Sequence, residues 1–535
     1  MVSNDESDSS CEEGYAGHLS SFETWLRSLQ RVFGSQLLLL LCAVQHLLKG
    51  LAGSLGARAT PYLFKAYHVP AQDIQIWKTC IFSPYILKPI IGLVSDLFPV
   101  GGYHKGPYML LGSLGGMAAA AGIGAARLPL HLFIFGLFLF ELMICTDDLL
   151  TEALYAREMQ DHPKHGQNLL TFVFAGMSLC SLLGNLSSGF LLTSLGAHGV
   201  FLFAALCSVP AVLAASGFPE VQQGPEAIHA KRAEFWRQKE ACALALVVLC
   251  ASLSMSLVAI CTKDPAANAG TAALAALAVG VSFSVVLSPV IAKFSVFTLL
   301  QTSLHLSASA PAFYFLTDSE EEFPDGPHFS KLFYNTCLGC VGGVFTLLGL
   351  YTYNRYSSTL SYRKVIVVSN TAFSLLHMTD MVLFSRLNLR LGIPDYVFAF
   401  GNQSLGTLVY QWLWMPQVAL LSQLCPKGME ATMFALVVSC HNLGVAVSSS
   451  WGSLLLERLS CNPTGAKAES EEFRNLWLAS AISSLLPLLG IGALFWLVPA
   501  VTPSQSELQV GDSTAGSLWK RWRLSKHELL STNDS

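Results

Sequence analysis

The chain has 535 residues, 52% hydrophobic and 12% charged, with a net charge of −4 and a mean hydropathy of +0.50. Soluble domains carry roughly 25% charged residues, so this composition, with apolar runs of about twenty residues recurring throughout, excludes an ordinary soluble domain and points to an all-α polytopic membrane protein. The near-neutral charge argues for no nucleic-acid partner, and the fourteen cysteines, scattered through apolar runs, read as packing residues rather than a disulfide framework or a metal site.

Residues 1–18 are acidic and Ser-rich, with no basic n-region or cleavage site, and read as a disordered tail. Residues 19–34 read as an amphipathic stretch on the membrane surface. Fourteen spans are expected, at about 36–58, 72–95, 107–126, 131–156, 167–194, 198–216, 241–261, 268–291, 293–316, 331–353, 364–386, 394–424, 429–457 and 474–498. Lys and Arg concentrate in alternate short loops, with His104, Lys105, Arg157, Arg232, Lys364 and Lys427 on one side. An acidic loop, Asp318 to Asp325, lies on the other, so both termini are expected in the cytoplasm. The plasma membrane is the expected location.

Lys49 sits near the middle of the first span and must face the protein interior or a wet cavity. The second span ends in Pro84-Tyr-Ile-Leu-Lys88-Pro89-Ile-Ile-Gly92-Leu-Val-Ser-Asp96, followed by a Gly101-Gly102 turn and Lys105. Gly92, Asp96 and Lys105 look like the loop motif of major-facilitator transporters, in which an aspartate caps a neighbouring helix and pairs with basic residues. That makes them conformational rather than ligand residues. The fourth span carries Glu141, Asp147, Asp148 and Glu152. A carboxylate at the bilayer centre costs about 2.5–3.5 kcal/mol on insertion scales, so each needs a partner. Glu141, Asp148 and Glu152 share one helical face and Asp147 points off it. Lys49 and Lys88 are the candidate counter-charges.

After a polar linker, a helix pair nearly devoid of charge precedes six further spans. Tyr314 closes the ninth span, and Asp380, Arg386 and Arg390 cluster at the outer end of the eleventh. Trp412 lies in the twelfth beside Pro416, a mid-span proline that frees a carbonyl and suits a moving helix. His441 in the thirteenth is a candidate proton site.

The runs KPIIGLVSD and PVGGYHKGPY, DLLTEALYAREM, FYFLTD, GIPDYVF and LCPKGMEATMFAL with HNLG resemble, in order, those of the folate–biopterin transporter family, a branch of the major-facilitator superfamily, and the layout is that of its protist-type members. The resemblance implies two six-helix bundles (36–216 and 293–498) and an inserted pair (241–292). A cytoplasmic N-terminus (1–35), linker (217–240) and tail (499–535) complete the expected organisation. It also implies a secondary active transporter of folate or pterin, with protons as a candidate coupling ion and no cofactor. Family members commonly carry an acidic pair spaced by four in the fourth span. Asp148 and Glu152 hold those positions, and Glu152 stands where many plastid-type members have aspartate. Lys49, Lys88, Asp148, Glu152, Tyr314, Asp380, Arg386, Arg390 and Trp412 are the candidate substrate or coupling residues. Other relatives handle metabolites such as S-adenosylmethionine, which stays open here. A prenyltransferase-like enzyme would need a second Asp-rich segment, and a non-transporting sensor would need a signalling domain. Neither is visible.

Overall fold

In the computed structural model the described residues are 23–162, 164–226, 229, 232, 239–356, 360–424, 430–500 and 513–523. The expected tail over 1–18, Lys427 and most of the basic linker lie outside them. Apart from one isolated bridge between Val100 and Tyr103, the described secondary structure is helical.

The first half comprises α1 (Ser35–Ala66), α2 (Ala71–Ile81), α3 (Ser83–Ile86), α4 (Lys88–Leu97), α5 (Gly106–Ala125), α6 (Leu130–Asp161), α7 (Gly166–Ser194) and α8 (Gly196–Ser216). The inserted pair is α9 (Lys239–Cys261) and α10 (Pro265–Val286). The second half comprises α11 (Pro289–Leu304), α12 (Ser309–Thr317), α13 (Leu332–Tyr356), α14 (Tyr362–Phe384), α15 (Asp395–Leu424), α16 (Glu430–Arg458) and α17 (Leu476–Leu497). Among the described residues eleven helices are long and apolar enough to cross a membrane. The expected fourteen spans exceed that count for physical reasons. The second span is broken into α2, α3 and α4, and the ninth into α11 and α12. The helix α15, also outside the eleven, carries Asn402, Gln403, Gln411 and Gln417 and runs on through Pro416.

Within the first half, α5 packs on α6 and α8, and α1 on α7 and α8. In the second, α13 packs on α15, α14 on α15 and α17, and α11 on α16 and α17. Two seams join the halves, α2 with α16 and α7 with α13. The inserted pair packs on itself and, through α10, on α16 and α11. Its turn is set by Asp264, whose carboxylate accepts from the amides of Ala266 and Ala267 (3.2 and 3.1 Å) with Pro265 at the first helical position. Its outer face presents Leu253, Leu257, Leu274 and Leu277, as a lipid-facing surface should.

The two ends of the bundles differ. One, the linker end, carries the residue 98–105 turn and residues 217–226. The other, the loop end, carries the segments 318–330 and 460–472. Close helix approach in the first half depends on small residues. A Cβ on Gly124 of α5 would lie 2.6 Å from the Leu202 amide nitrogen and 2.8 Å from the His198 carbonyl of α8, whereas one on Gly122 would meet nothing within 4 Å. Backbone cannot swing aside as a side chain can. Gly124→Ala should therefore destabilise by about 1–3 kcal/mol, read as a lower thermal midpoint of the purified protein, while Gly122→Ala should not lower it.

Candidate functional site

Of the four carboxylates singled out in α6, three are met by different neighbours. Asp148, 5% exposed, accepts from Lys49 Nζ of α1 (2.7 Å) and Lys88 Nζ of α4 (2.9 Å). Gln45, one turn before Lys49, donates to Asp148 Oδ1 (3.1 Å) and to Thr151 (2.8 Å). Glu141 accepts from the Tyr85 hydroxyl (2.9 Å). Asp147 is fully buried, turned away, and accepts from Ser113 of α5 (2.5 Å). Glu152 makes no hydrogen bond or ion pair among the described residues, although it lies within electrostatic reach of Asp148, Lys88 and Lys49.

Local sequence explains how α1 and α4 present these lysines. Residues Cys42–Ala52 of α1 form a π-helix, a winding that recurs at functional sites because it shifts the side chains relative to an α-helical register. In the second span Pro84 and Pro89 each lack an N–H and leave a carbonyl one turn back without its helical partner. Ser83 donates to the Cys80 carbonyl (2.8 Å), and Asn442 of α16 donates across the seam to the Tyr85 carbonyl (2.9 Å). The resulting breaks at Phe82 and Leu87 turn Tyr85 and Lys88 toward α6.

The ninth span is broken in the same manner. Gln75 of α2 donates to the Ser307 carbonyl (3.1 Å), and the Ser448 hydroxyl of α16 donates to that of His305. A Cβ on Gly452 would sit 2.2 Å from the Ser307 carbonyl oxygen, so glycine is what admits the broken strand of backbone here. Beside this break lies a cavity of about 500 Å³ between the halves. Phe82, Phe373, Tyr410 and Trp414 supply aromatic faces, and Gln301, His305, His441 and Asn442 supply polar edges. Its one charged lining residue, Lys78 of α2, donates to Ser309 (2.7 Å) and has no carboxylate partner among the described residues. Thr302 and His441 lie within hydrogen-bond distance (3.0 Å), and Trp414 packs against His441. A second cavity, of about 340 Å³, shares His305 and Phe373 and contains His377 and Asp380. Asp380 pairs with His377 (3.0 Å) and accepts from Asn402.

The loop end is sealed. Lys65 of α1 pairs with Asp318 and Glu322 (2.8 Å each). The Tyr314 hydroxyl donates to the Val69 carbonyl (2.9 Å), Asn335 to the Tyr62 hydroxyl (2.7 Å), and the Ala71 amide to the Pro463 carbonyl (3.0 Å).

Of the residues singled out in the sequence, Lys49, Lys88, Asp148 and Glu152 come together. Tyr314 belongs to the seal. Arg386 is held by Asp395 (2.9 Å) over the Phe315 ring, and Arg390 is exposed at the loop end, so neither lines the cavity. Trp412 points away from it and donates to Thr352 of α13 (2.9 Å). At the linker end Gly92 and Asp96 lie in α4, and the backbone amides of His104, Lys105 and Gly106 all donate to Glu220 (2.8–3.1 Å), which caps α5. Lys78, Gln75, Gln301 and His305 were missed, as was Arg58 of α1. Lys78 and Arg58 carried a signal, an ionisable residue inside an apolar run. The polar uncharged residues carried none.

The protein-family model described as "BT1 family" matches residues 49–511. A relative named "Probable folate-biopterin transporter 2" from Arabidopsis thaliana is 27% identical over 89% of this chain and 85% of its own. The "Folate-biopterin transporter" of Synechocystis sp. is 27% identical over 81% and 74%, and "Folate transporter 2" of Plasmodium falciparum 23% identical over 79% and 80%. Among solved structures, a D-xylose-proton symporter superposes with a TM-score of 0.55 at 13% identity, over 90% of this chain and 100% of its own. An auto-inhibited POT family peptide transporter gives 0.59 at 12%, over 90% and 99%. These likenesses show the major-facilitator fold.

Asp148→Asn would leave two lysines without their anion, and removing one partner of a buried pair costs about 3–5 kcal/mol. The thermal midpoint of the purified protein should fall steeply for Asp148→Asn. It should fall less for Lys49→Met, because the Lys49 side chain is 33% exposed and Lys88 still pairs. The seal offers a pH test. Burial pushes the Asp318 carboxyl up to about 6, outweighing Lys65, and its Oδ2 is buried without a hydrogen-bond partner. At Glu322 burial raises and Lys65 and Ser319 lower, with a net decrease. A raised carboxyl means that the sealed state takes up a proton. Its contribution is full below the ordinary value of about 4 and is lost as pH rises through about 6. Amides of residues 319–326 should be better protected from hydrogen exchange at pH 5 than at pH 7 after correction for intrinsic rates. Asp318→Asn should abolish the difference; equal protection in the unaltered protein would count against it.

Proposed function

The chain belongs to the BT1 family, and from that premise we propose that it is a secondary transporter of folate- or pterin-type metabolites working by alternating access, not an enzyme. The observation that carries the reading is the cavity between the halves, which combines aromatic faces with one ammonium. A pterin is a flat heterocycle with donors and acceptors on its edge. Trp414 and Tyr410 offer faces for stacking, Gln301 and Asn442 offer amides for the edge, and Lys78 suits a carboxylate of a folate tail. The relatives named as folate or folate–biopterin transporters support the same substrate class.

The buried set on α1, α4 and α6 is proposed as the coupling site. Lys49 and Lys88 hold Asp148, and Glu152, without a fixed partner, is the carboxylate that takes and releases a proton. Asp380 with His377 is a second candidate in the other half. Gly92, Asp96, Lys105 and Pro416 are assigned to the conformational change. The division into bundles at 36–216 and 293–498 around an inserted pair at 241–292 belongs to this proposal. So does the cytoplasmic placing of both termini, for which the Lys/Arg bias is the support, and so does a plasma-membrane location.

Purified protein in liposomes should accumulate labelled folate or biopterin, and faster with an inward pH gradient. S-adenosylmethionine serves as the competing substrate, and uptake of that compound alone would replace the folate assignment. Binding without accumulation or exchange would sink the transporter reading. Trp414→Ala should raise the half-saturating concentration of both pterin substrates about tenfold, since stacking of a base on an aromatic is worth about 1–3 kcal/mol. Glu152→Gln should lose the response to the pH gradient.

A further inference from the structure

Arg58 is an intramembrane cation that neither the coupling set nor the seal uses. Arg58, Tyr62 and Lys65 stand at i, i+4 and i+7 on one face of α1. Lys65 bonds Asp318 and Glu322, and Tyr62 accepts from Asn335 and packs edge-on against Phe313 at 5.0 Å. That face therefore looks at the second half, and Arg58 is its next turn toward the linker end, about 6 Å further along the axis. Its Nε donates to Asn185 of α7 (3.0 Å), and a Cβ on Gly339 of α13 would lie 3.4 Å from its NH2. The Tyr62 and Tyr334 hydroxyls are within electrostatic reach.

Asn185 is neutral and occupies one of the five guanidinium donors. No carboxylate pairs with Arg58 among the described residues, although an ionised group at this depth requires a partner. Beside it, between α1 and α7, is a cavity of about 360 Å³ lined by Ser54, Ala57, Ser181 and Asn185, separate from the one that Lys78 lines. Ser309, to which Lys78 donates, is likewise one turn toward the linker end from Phe313. Arg58 and Lys78 thus stand at matching depth below the same aromatic contact.

We propose that Arg58, oriented by Asn185, is an anion subsite that takes a carboxylate of the substrate where the space between the halves meets the loop-end seal. The inference rests on the transport reading and narrows it. A guanidinium without a carboxylate partner selects a pterin conjugate bearing a carboxylate over an uncharged pterin. A guanidinium forms two parallel bonds to a carboxylate, so the subsite distinguishes substrates by charge rather than by ring.

The test is uptake of folate and of biopterin by the full chain in liposomes, for the unaltered protein, Arg58→Gln and Arg58→Lys. Arg58→Gln should raise the half-saturating concentration for folate about tenfold or more and leave that for biopterin within about twofold. Arg58→Lys should recover part of the folate loss, since the charge returns without the paired donors. If the glutamine variant does not fold, Arg58→Lys alone decides, because a loss for folate without one for biopterin supports the subsite. Equal losses for both substrates, unchanged folate uptake, or an unaltered protein that moves biopterin but not folate would overturn it. An unaltered protein that moves neither overturns the folate–pterin reading on which the inference rests.

Discussion

Hydrocarbon does not solvate ions, and the arrangement of this protein follows from how it answers that constraint. Asp148 is the clearest case. It is nearly inaccessible, yet two lysines from two other helices and an amide from Gln45 converge on it. Those contacts fix the rotation of α1 and α4 about α6. A one-residue slip of either helix would withdraw its ammonium from the carboxylate and leave that cation without its anion. Asp147 shows the opposite solution. It is held by a serine of α5 inside the bundle, where it ties two helices.

Broken helices extend the same logic to the backbone. A carbonyl freed by proline is as unwelcome in a bilayer as a side-chain dipole. Here freed groups are answered by neighbouring helices, Tyr85 by Asn442 and Ser307 by Gln75 across the boundary between halves, and His305 by Ser448 within the second half. The first two are bonds between bodies that must part if the halves rock. They place broken helix backbone beside the cavity, where water or a solute can replace the lost partner. The Asn442 bond also gives a physical reason for the HNLG run, which the sequence shows only as a polar interruption in an apolar helix.

What could be read in advance follows from the same physics. An ionisable residue in an apolar run announces itself, so Lys49, Lys88, Asp148 and Glu152 were visible, as was the face shared by Glu141, Asp148 and Glu152. Partners distant in sequence were visible only as a shortage of counter-charge. Arg386 shows the limit of that reasoning. Its place at the outer end of a span makes it a candidate substrate residue, but Asp395, nine residues on, holds it. Lys78, Gln301 and His305 could not be placed because periodicity does not separate a face that lines a cavity from one packed on a neighbour. Trp412 and Trp414 make the point within one helix. Two positions apart, one is fixed to α13 and the other lines the cavity.

The charge balance differs between the two levels of the molecule, and the difference has a consequence for alternating access. The deeper set on α1, α4 and α6 has two lysines against Asp148 and Glu152, so its charges balance within the protein. Just below the seal, Arg58 and Lys78 are cations whose described partners are an amide and a hydroxyl. With no ligand neither has a carboxylate partner among the described residues, which opposes keeping the loop end shut around an empty cavity. A solute bearing carboxylates supplies the missing counter-charge. The free energy of its binding is then largest in the conformation whose loop end is closed, and only such differential affinity can drive a conformational equilibrium. Lys65, bound to Asp318 and Glu322 on the same face of α1, supplies the fixed part of that closure, and the carboxylates of the cargo supply the variable part.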